Sequence, residues 1–290
     1  MIDDGEHRIA LNGVDHWVRA DGTGHGRGPL ILVHGGPGGN AYSLEHSIGP
    51  HLASRVSVVY YDQRGGGRSG HDPAGSYSIA RFVADLEALR DALDAPTIWL
   101  AGFSFGGQLA AEYAVAHPDK VDRLVLAAPT IHGPLARAAR LAGMDAVGDA
   151  PFRALLRAHV AGIAPSAAGP GLADLTPMWL AMGDRRANLL YADPARAFDA
   201  PTLAAPPDPA LRPELLDEPR PRPLLDDLAE LTVPTLVTVG LYDRMVGVDA
   251  CRDVTDRMGD ARLMVLDRCG HNTVEQAELH ATRIADFLLQ

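Results

Sequence analysis

The chain has 290 residues, a formal net charge of −11 and a hydrophobic share of 47%. This length and composition are typical of a folded globular protein with a large core, and they argue against extensive disorder. The acidic balance argues against nucleic acid as a partner, because phosphate contacts require a basic face.

The N-terminus and the cysteines indicate the cellular setting. The opening stretch MIDDGEHRIALNG lacks the basic-then-apolar pattern of a secretory signal. No run approaches the roughly eighteen apolar residues that a membrane span requires. Cys251 and Cys269 are too few for a disulfide framework. We therefore expect a cytoplasmic protein with no membrane partner, and the sequence leaves the oligomeric state open.

Short apolar runs predict buried strands that alternate with helices. The predicted strands are residues 30–33, 56–61, 97–102, 123–128, 235–240 and 262–266. Continuous rather than alternating hydrophobicity is typical of a parallel sheet that is covered on both faces. Apolar residues at helical spacing predict helices at 78–93, 105–117 and 280–289. The alternation predicts a doubly wound α/β fold with a mostly parallel central sheet.

Residues 130–228 interrupt this alternation, and we call them the cap segment. They contain no convincing strand, but helix-like pieces occur at 134–147, 151–162 and 174–190. Prolines crowd residues 201–223, which predicts an irregular return to the sheet. We predict a helical cap inserted between two parts of one core, residues 1–129 and 229–290.

The stretch GFSFGG at 102–107 places Ser104 between a predicted strand and a predicted helix. This is the setting of a nucleophile elbow, in which the flanking glycines allow a sharp turn. The turn leaves the serine hydroxyl at a helix N-terminus, where the positive end of the helix dipole favours developing negative charge. We predict that Ser104 is a nucleophile.

A serine nucleophile requires an acid and a base later in the chain. Asp243 follows the predicted strand 235–240, whereas Asp249 and Asp253 lie farther along in what reads as a helix. His271 is the histidine that follows the last predicted strand. We predict that His271 is the general base and that Asp243 orients it. Asn272 and Glu275 resemble a capping-box pair for the final helix.

The remaining glycine-rich stretches predict an oxyanion hole rather than a phosphate or metal site. The backbone N–H of Phe105 is one expected donor, and the loop HGGPGG at 34–39 supplies the other, with Gly36 preferred over Gly35. This loop lacks the Lys-Ser/Thr pair of a phosphate-binding loop. No spaced set of metal ligands occurs, so we expect neither a metal nor a cofactor.

Together, HGGPGG (34–39), YYDQRGGGRS (60–69), GFSFGG (102–107), GLYD (240–243) and CGH (269–271) resemble the proline iminopeptidase family of α/β-hydrolases. The resemblance implies an α/β-hydrolase fold with an inserted cap. It also implies release of an N-terminal amino acid, proline or another small residue, from a peptide or an aminoacyl amide. The partner would then be such a small substrate.

In that family, carboxylates of the cap commonly bind the free α-ammonium of the substrate. The resemblance therefore implies Glu214 as the first candidate in this chain, with Glu218 and Asp217 next. One departure stands against a broad aminopeptidase: Arg244 occupies the position where some relatives carry a second amine-binding glutamate. The alternative is an esterase, lactonase or C–C bond hydrolase on the same scaffold. A binding module without activity is disfavoured by the intact Ser104, Asp243 and His271 set.

Overall fold

The computed structural model describes residues 2–26, 28–131, 133–163, 171–197 and 206–290. Its strands form one eight-stranded sheet in the order β1-β2-β4-β3-β5-β6-β7-β8. Both contacts of β2 are antiparallel, and all strand pairs from β4 to β8 are parallel. The strands are β1 (Gly5–Leu11), β2 (Val14–Asp21), β3 (Leu30–Val33), β4 (Val58–Tyr61), β5 (Ile98–Phe103), β6 (Val121–Ala127), β7 (Thr235–Gly240) and β8 (Ala261–Leu266).

Helices cover the sheet on both faces because the central strands are apolar on both sides. One buried cluster joins the sheet to α3 (Ile79–Ala92), α4 (Phe105–Ala116) and α10 (Val248–Arg257). A second cluster joins the opposite face to α1 (Tyr42–His46), α2 (Ile48–Ala53) and α11 (Ala277–Leu288). The predicted α/β class, with a mostly parallel sheet and helices on both faces, is therefore confirmed.

The N-terminal hairpin of β1 and β2 was absent from the sequence prediction. Its strand β1 alternates between exposed and half-buried residues, so it lacks the continuous apolar run used to find the others. The turn itself carries a hairpin signal, since Asn12 and Gly13 both have positive φ, at 46° and 82°. An Asn-Gly pair between alternating runs is typical of a two-residue hairpin turn.

Between β6 and β7 the described part of the cap segment contains helices and no strand. These helices are α5 (Gly133–Val147), α6 (Ala150–Gly162), α7 (Thr176–Ala181), α8 (Ala187–Leu190) and α9 (Leu224–Leu228). The helix-like stretch predicted at 174–190 is helical but not continuous, because Gly183 adopts φ 54° and divides it into short pieces. Residues 201–205 of the predicted return lie outside the described residues. The rest of it, 206–223, is irregular except for a 3₁₀ turn at Pro213–Asp217.

Candidate active site

Ser104 lies on a strained turn between the end of β5 and the start of α4. Its φ of 56° and ψ of −118° fall where side chains other than glycine are rarely found. The neighbouring glycines are required by close backbone approach. A Cβ on Gly102 would collide with the carbonyl oxygen of Gly106, and a Cβ on Gly106 would collide with that of Val33. The turn therefore depends on the glycines of GFSFGG and places Ser104 at the N-terminus of α4.

The structure brings Ser104, His271 and Asp243 into one hydrogen-bonded line. The Nε2 atom of His271 lies 2.9 Å from the Oγ of Ser104, and its Nδ1 atom lies 2.9 Å from the Oδ2 of Asp243. The loops after β5, β7 and β8 supply the three side chains, at the carboxyl ends of parallel strands. This is the geometry in which a histidine can take the proton of a serine while a carboxylate fixes its ring.

The Asp243 carboxylate is buried and fully engaged. Its Oδ1 accepts hydrogen bonds from the N–H groups of Met245 at 2.7 Å and Val246 at 2.9 Å. Burial alone would raise the pKa of Asp243, but His271 and the two N–H donors outweigh it and hold the pKa below its usual value. The carboxylate therefore stays ionised beside the imidazole and can stabilise a positive charge there.

A buried histidine, His34, holds the HGGPGG loop in place. The backbone N–H of Gln63 donates to the Nε2 of His34 at 3.0 Å, and the Nδ1 of His34 lies 2.7 Å from the carbonyl oxygen of Gly35. Nε2 must therefore be the acceptor, and Nδ1–H donates to Gly35. Burial lowers the pKa of His34, which favours this neutral form.

Gly35 and Gly36 of the HGGPGG loop lie next to Ser104 and Phe105, as the oxyanion role requires. A Cβ on Gly35 would stand 3.2 Å from the Cβ of Ser104, and one on Gly36 would stand 3.8 Å from the Phe105 ring. The Gly36–Pro37 peptide is cis. Phe105 begins α4, where the first N–H groups lack partners within the helix. The oxyanion roles of Gly36 and Phe105 stay predictions.

The DQRGGGRS stretch holds the residues that follow the HGGPGG loop in place. The Asp62 carboxylate accepts from the N–H of Ala41 and from both the backbone N–H and the Nε of Arg68, each at 2.7 Å. Arg68 also donates to Glu45 at 2.7 Å, and its guanidinium lies 3.2 Å above the Trp17 ring. The DQRGGGRS motif thus acts in packing, where a paired buried charge fixes the chain after HGGPGG.

Ser104 and His271 open onto a cavity of about 510 Å³ between the sheet and the cap segment. This volume suits a small organic substrate. Among the described lining residues, Arg140 is the only Lys, Arg, Asp or Glu side chain. The others include Leu44, Ile48, Thr130, Thr176, Trp179, Leu180, Leu190, Leu211, Leu216, Met245, Asn272 and Val274. The wall is therefore largely apolar and carries one cation.

The structure does not bring Glu214 or Glu218 to this cavity. Glu214 is exposed on the 3₁₀ turn, from which Pro213 and Leu216 face the cavity instead. The carboxylate of Glu218 accepts the N–H of Ile79 at 3.0 Å and so serves the first turn of α3. Asp217 is likewise committed, since it accepts from the N–H of Leu172 at 3.0 Å. The described geometry thus does not support the amine-binding assignment for these cap carboxylates.

The predicted capping box at Asn272 and Glu275 is wrong, because Asn272 makes no side-chain capping bond. Glu275, buried at 5% exposure, instead accepts N–H groups from Gly270 at 2.7 Å and from Ala192 and Asp193 at 2.9 Å each. This carboxylate therefore joins the His271 loop to the cap segment. Sequence spacing suggested only a local partner for Glu275, whereas Ala192 and Asp193 are about eighty residues away in the chain.

Arg244 is also part of the contact between core and cap. Its Nη1 donates to the carbonyl oxygen of Asn188 at 2.9 Å, and Gly143 of α5 packs closely on its Cβ. Arg244 does not line the described cavity wall. The position at which some relatives carry an amine-binding glutamate thus holds a residue that anchors the cap segment.

Further features bear on partners and chemistry. Burial raises the pKa of the Cys269 thiol to about 12, so it stays protonated beside His271. Within the described residues, no group of three or more His, Cys, Asp or Glu side chains is arranged to hold a metal ion. No helix in the described part of the chain has both the length and the apolar character that a membrane crossing requires.

Comparison with known proteins gives the family and several relatives. A family model described as alpha/beta hydrolase fold matches residues 28–278. The chain is 29% identical over 274 residues to a 2-hydroxymuconate semialdehyde hydrolase of Pseudomonas sp. (strain CF600), covering 90% of this chain and 87% of that protein. It is 36% identical to a proline iminopeptidase of Heyndrickxia coagulans, but over only 109 residues, which is 37% of each chain.

A solved structure extends the likeness to nearly the whole fold. The proline iminopeptidase of Mycobacterium smegmatis has a TM-score of 0.70 to this chain, with 23% identity, and the match covers 99% of this chain and 98% of that one. At this identity the likeness concerns the fold alone.

Proposed function

This chain belongs to the alpha/beta hydrolase fold family, and on that premise we propose that it is a serine hydrolase that acts through an acyl-enzyme. The observation that carries the proposal is the line from Ser104 through His271 to Asp243, with 2.9 Å at each step, at the wall of a cavity. An isolated serine would not be expected to hold this partner set on a strained turn.

The reaction follows from the geometry. The Oγ of Ser104 attacks the carbonyl carbon of the substrate while Nε2 of His271 takes the hydroxyl proton. Asp243 stabilises the imidazolium that forms, and the N–H groups of Phe105 and Gly36 would stabilise the oxyanion. His271 then donates its proton to the leaving group. A water molecule then attacks the acyl-enzyme while His271 takes its proton. His271 returns this proton to the Oγ of Ser104 as the acid product leaves.

For the substrate, the described cavity favours a carbonyl compound without an ammonium group. An ammonium would be expected to meet a carboxylate, because such a pair is strong away from water. The described wall instead offers apolar side chains and the cation of Arg140. We therefore place the esterase, lactonase or C–C bond hydrolase class first. The resemblance to a 2-hydroxymuconate semialdehyde hydrolase over 90% of this chain supports this order.

The second candidate is the aminopeptidase, favoured by the HGGPGG and DQRGGGRS motifs and by the partial resemblance to a proline iminopeptidase. On this reading the enzyme removes an N-terminal proline or another small residue. The two candidates share the acyl-enzyme chemistry and differ in whether a free α-amine is required.

A substrate panel tests the hydrolase activity and the order of the two substrate classes. It contains 4-nitrophenyl pentanoate, the 4-nitroanilides of proline and alanine, and the N-acetylated forms of these two anilides. We expect the ester to be cleaved fastest and N-acetylation to make little difference. Turnover of the free aminoacyl anilides alone would reverse the order of the two candidates.

The nucleophile is tested with Ser104→Ala, using the exposed Ser54→Ala as the matched control. Loss of a triad nucleophile should lower turnover by about 10⁴-fold or more. The control should retain full activity, and both variants should keep the thermal midpoint of unfolding close to that of the unchanged protein. Substantial turnover by Ser104→Ala would refute the serine hydrolase proposal.

A further inference from the structure

Arg140 is a buried cation in the wall of the Ser104 cavity. It lies on α5, is 7% exposed and borders the same cavity as Ser104 and His271. Its Nε atom has no hydrogen-bond partner, and no ion pair to Arg140 exists within the described residues. A buried guanidinium is costly unless an anion or several acceptors compensate it.

The carboxylates that act on Arg140 electrostatically are committed to other groups. Burial lowers the pKa of Arg140 to about 10, opposed by the negative charges of Asp243 and Asp217. Asp243 is hydrogen-bonded to His271, Met245 and Val246. Asp217 accepts from the N–H groups of Leu172 and Ala173. Arg140 therefore stays charged at neutral pH, while neither carboxylate bonds to it.

From this geometry we infer that Arg140 binds a carboxylate of the substrate, separate from the carbonyl group that Ser104 attacks. The inference rests on the proposed hydrolase function and adds a substrate class to it: monoanionic acyl compounds that carry one free carboxylate. A guanidinium binds a carboxylate through two parallel N–H···O bonds, which fixes orientation as well as charge. The apolar lining strengthens this pair by excluding water.

The same arrangement gives Arg140 a role in specificity. A carboxylate held by Arg140 positions the rest of the substrate along the apolar wall toward Ser104 and His271. A neutral substrate of the same length leaves the guanidinium uncompensated, and a substrate with an ammonium group meets repulsion. Arg140 therefore selects for anionic substrates against both.

A matched pair of esters with one leaving group tests the inference. The substrates are mono-4-nitrophenyl glutarate, which carries a free carboxylate, and 4-nitrophenyl pentanoate, which is neutral and of similar length. We expect kcat/KM to be higher for the glutarate ester after subtraction of the rate measured with Ser104→Ala. In Arg140→Gln this preference should fall by about 30-fold or more, chiefly through KM for the anionic ester.

Two further variants separate binding from a structural role. Arg137→Gln removes an arginine one turn earlier on α5, outside the cavity wall, and should keep the preference. Arg140→Lys keeps the charge and should restore part of it. An equal loss for both esters in Arg140→Gln, or an unchanged preference, would show that Arg140 serves the fold and would overturn the inference.

A binding measurement keeps the inference testable if a variant fails to fold or neither ester turns over. Glutarate and the neutral glutaramide are titrated into the unchanged protein and followed by calorimetry. Tighter binding of glutarate, weakened in Arg140→Lys, supports the carboxylate site. Equal binding of the two overturns it. Hydrolysis of the neutral ester without preference for the anion would leave the serine hydrolase proposal intact and remove only the role of Arg140.

Discussion

The sheet and the cap segment contribute to the same cavity in different ways. The sheet supplies Ser104, Asp243 and His271 from loops that follow parallel strands, and the bonds between them are within 2.9 Å. The cap segment supplies Arg140 and apolar side chains from short helices and irregular stretches. Residues 132, 164–170 and 198–205 of the cap segment lie outside the described residues.

If the proposed function is correct, the chemical step and the choice of substrate depend on different parts of the chain. The reacting groups depend on strand order and on turns that admit one arrangement. The cavity wall depends on which side chains of the cap segment point toward the cavity. Perturbing the first region should therefore change the rate for every substrate, whereas perturbing the second should change the ranking of substrates.

The largest expected effect comes from the core, with Asp243→Asn. The amide would disfavour the Nδ1–H tautomer and could not stabilise the imidazolium, so kcat should fall by about 10⁴-fold for every substrate of the panel. The exposed Asp249→Asn is the matched control and should be fully active. A loss of activity with only some substrates would contradict the idea that the core sets the rate and the cap segment sets the ranking of substrates.

A smaller effect is expected where the two regions meet, with Glu275→Ala. The change leaves the N–H groups of Gly270, Ala192 and Asp193 without their acceptor, so the free energy of unfolding should decrease by about 3 kcal/mol. Turnover should also fall, since the His271 loop loses its tie to the cap segment. Chemical denaturation and steady-state kinetics measure the two effects. Glu278→Ala, exposed on α11, should change neither, and equal behaviour of the variants would contradict the structural role of Glu275.

His280, a buried histidine of the core, should make the stability of the protein depend on pH. Burial lowers its pKa from 6.5 to about 3, and its Nε2 lies 2.9 Å from the Oγ1 of Thr238. Between these two pH values the unfolded chain binds a proton at His280 and the folded protein does not. The free energy of unfolding is therefore unaffected by His280 above pH 6.5 and decreases as the pH falls from 6.5 toward 3. The loss from this residue should reach about 2 kcal/mol at pH 5.

Urea unfolding between pH 5 and pH 7.5 measures this loss. His280→Gln should flatten the dependence, whereas His51→Gln, at an exposed position, should keep it. An unchanged slope in His280→Gln would mean that this residue takes a proton in the folded state. Part of the slope should persist in the variant, because burial also lowers the pKa of His34.

The smallest expected effect concerns Glu214→Gln in the cap segment. Because Glu214 is exposed and lies outside the described cavity wall, kcat/KM should stay within about twofold for esters and aminoacyl anilides alike. A selective loss with the aminoacyl anilides would favour the aminopeptidase and restore the role that the resemblance implies for Glu214.

That Ser104, Asp243 and His271 lie together could be predicted from the sequence because each follows a strand that local hydrophobicity reveals. Ser104 stands in a short motif, and Asp243 and His271 follow apolar runs in the expected order. The β1–β2 hairpin was missed because β1 is half-exposed and polar residues interrupt the apolar positions of β2, although the Asn12-Gly13 turn carried a signal.

The cap-facing residues could not be predicted because their partners are distant in the chain. Glu275 has the spacing of a capping box, but tertiary contacts with Ala192 and Asp193 determine its role. Arg140 belongs to an amphipathic helix on which charges usually face solvent, and only packing shows that it is buried. The resemblance implied Glu214 as the first amine-binding candidate, but a position in the chain does not fix the direction of a side chain.

The bonds of Glu275 have a consequence for engineering. Exchanging the cap between relatives to alter selectivity would replace residues that also hold the His271 loop. These are Ala192, Asp193 and Leu190, whose carbonyl oxygen accepts the N–H of Asn272. A transplanted cap must therefore bring backbone donors and acceptors at these places. The exchangeable unit is the cap together with residues 270–275, and a chimera designed at the domain boundaries alone would misplace its own base.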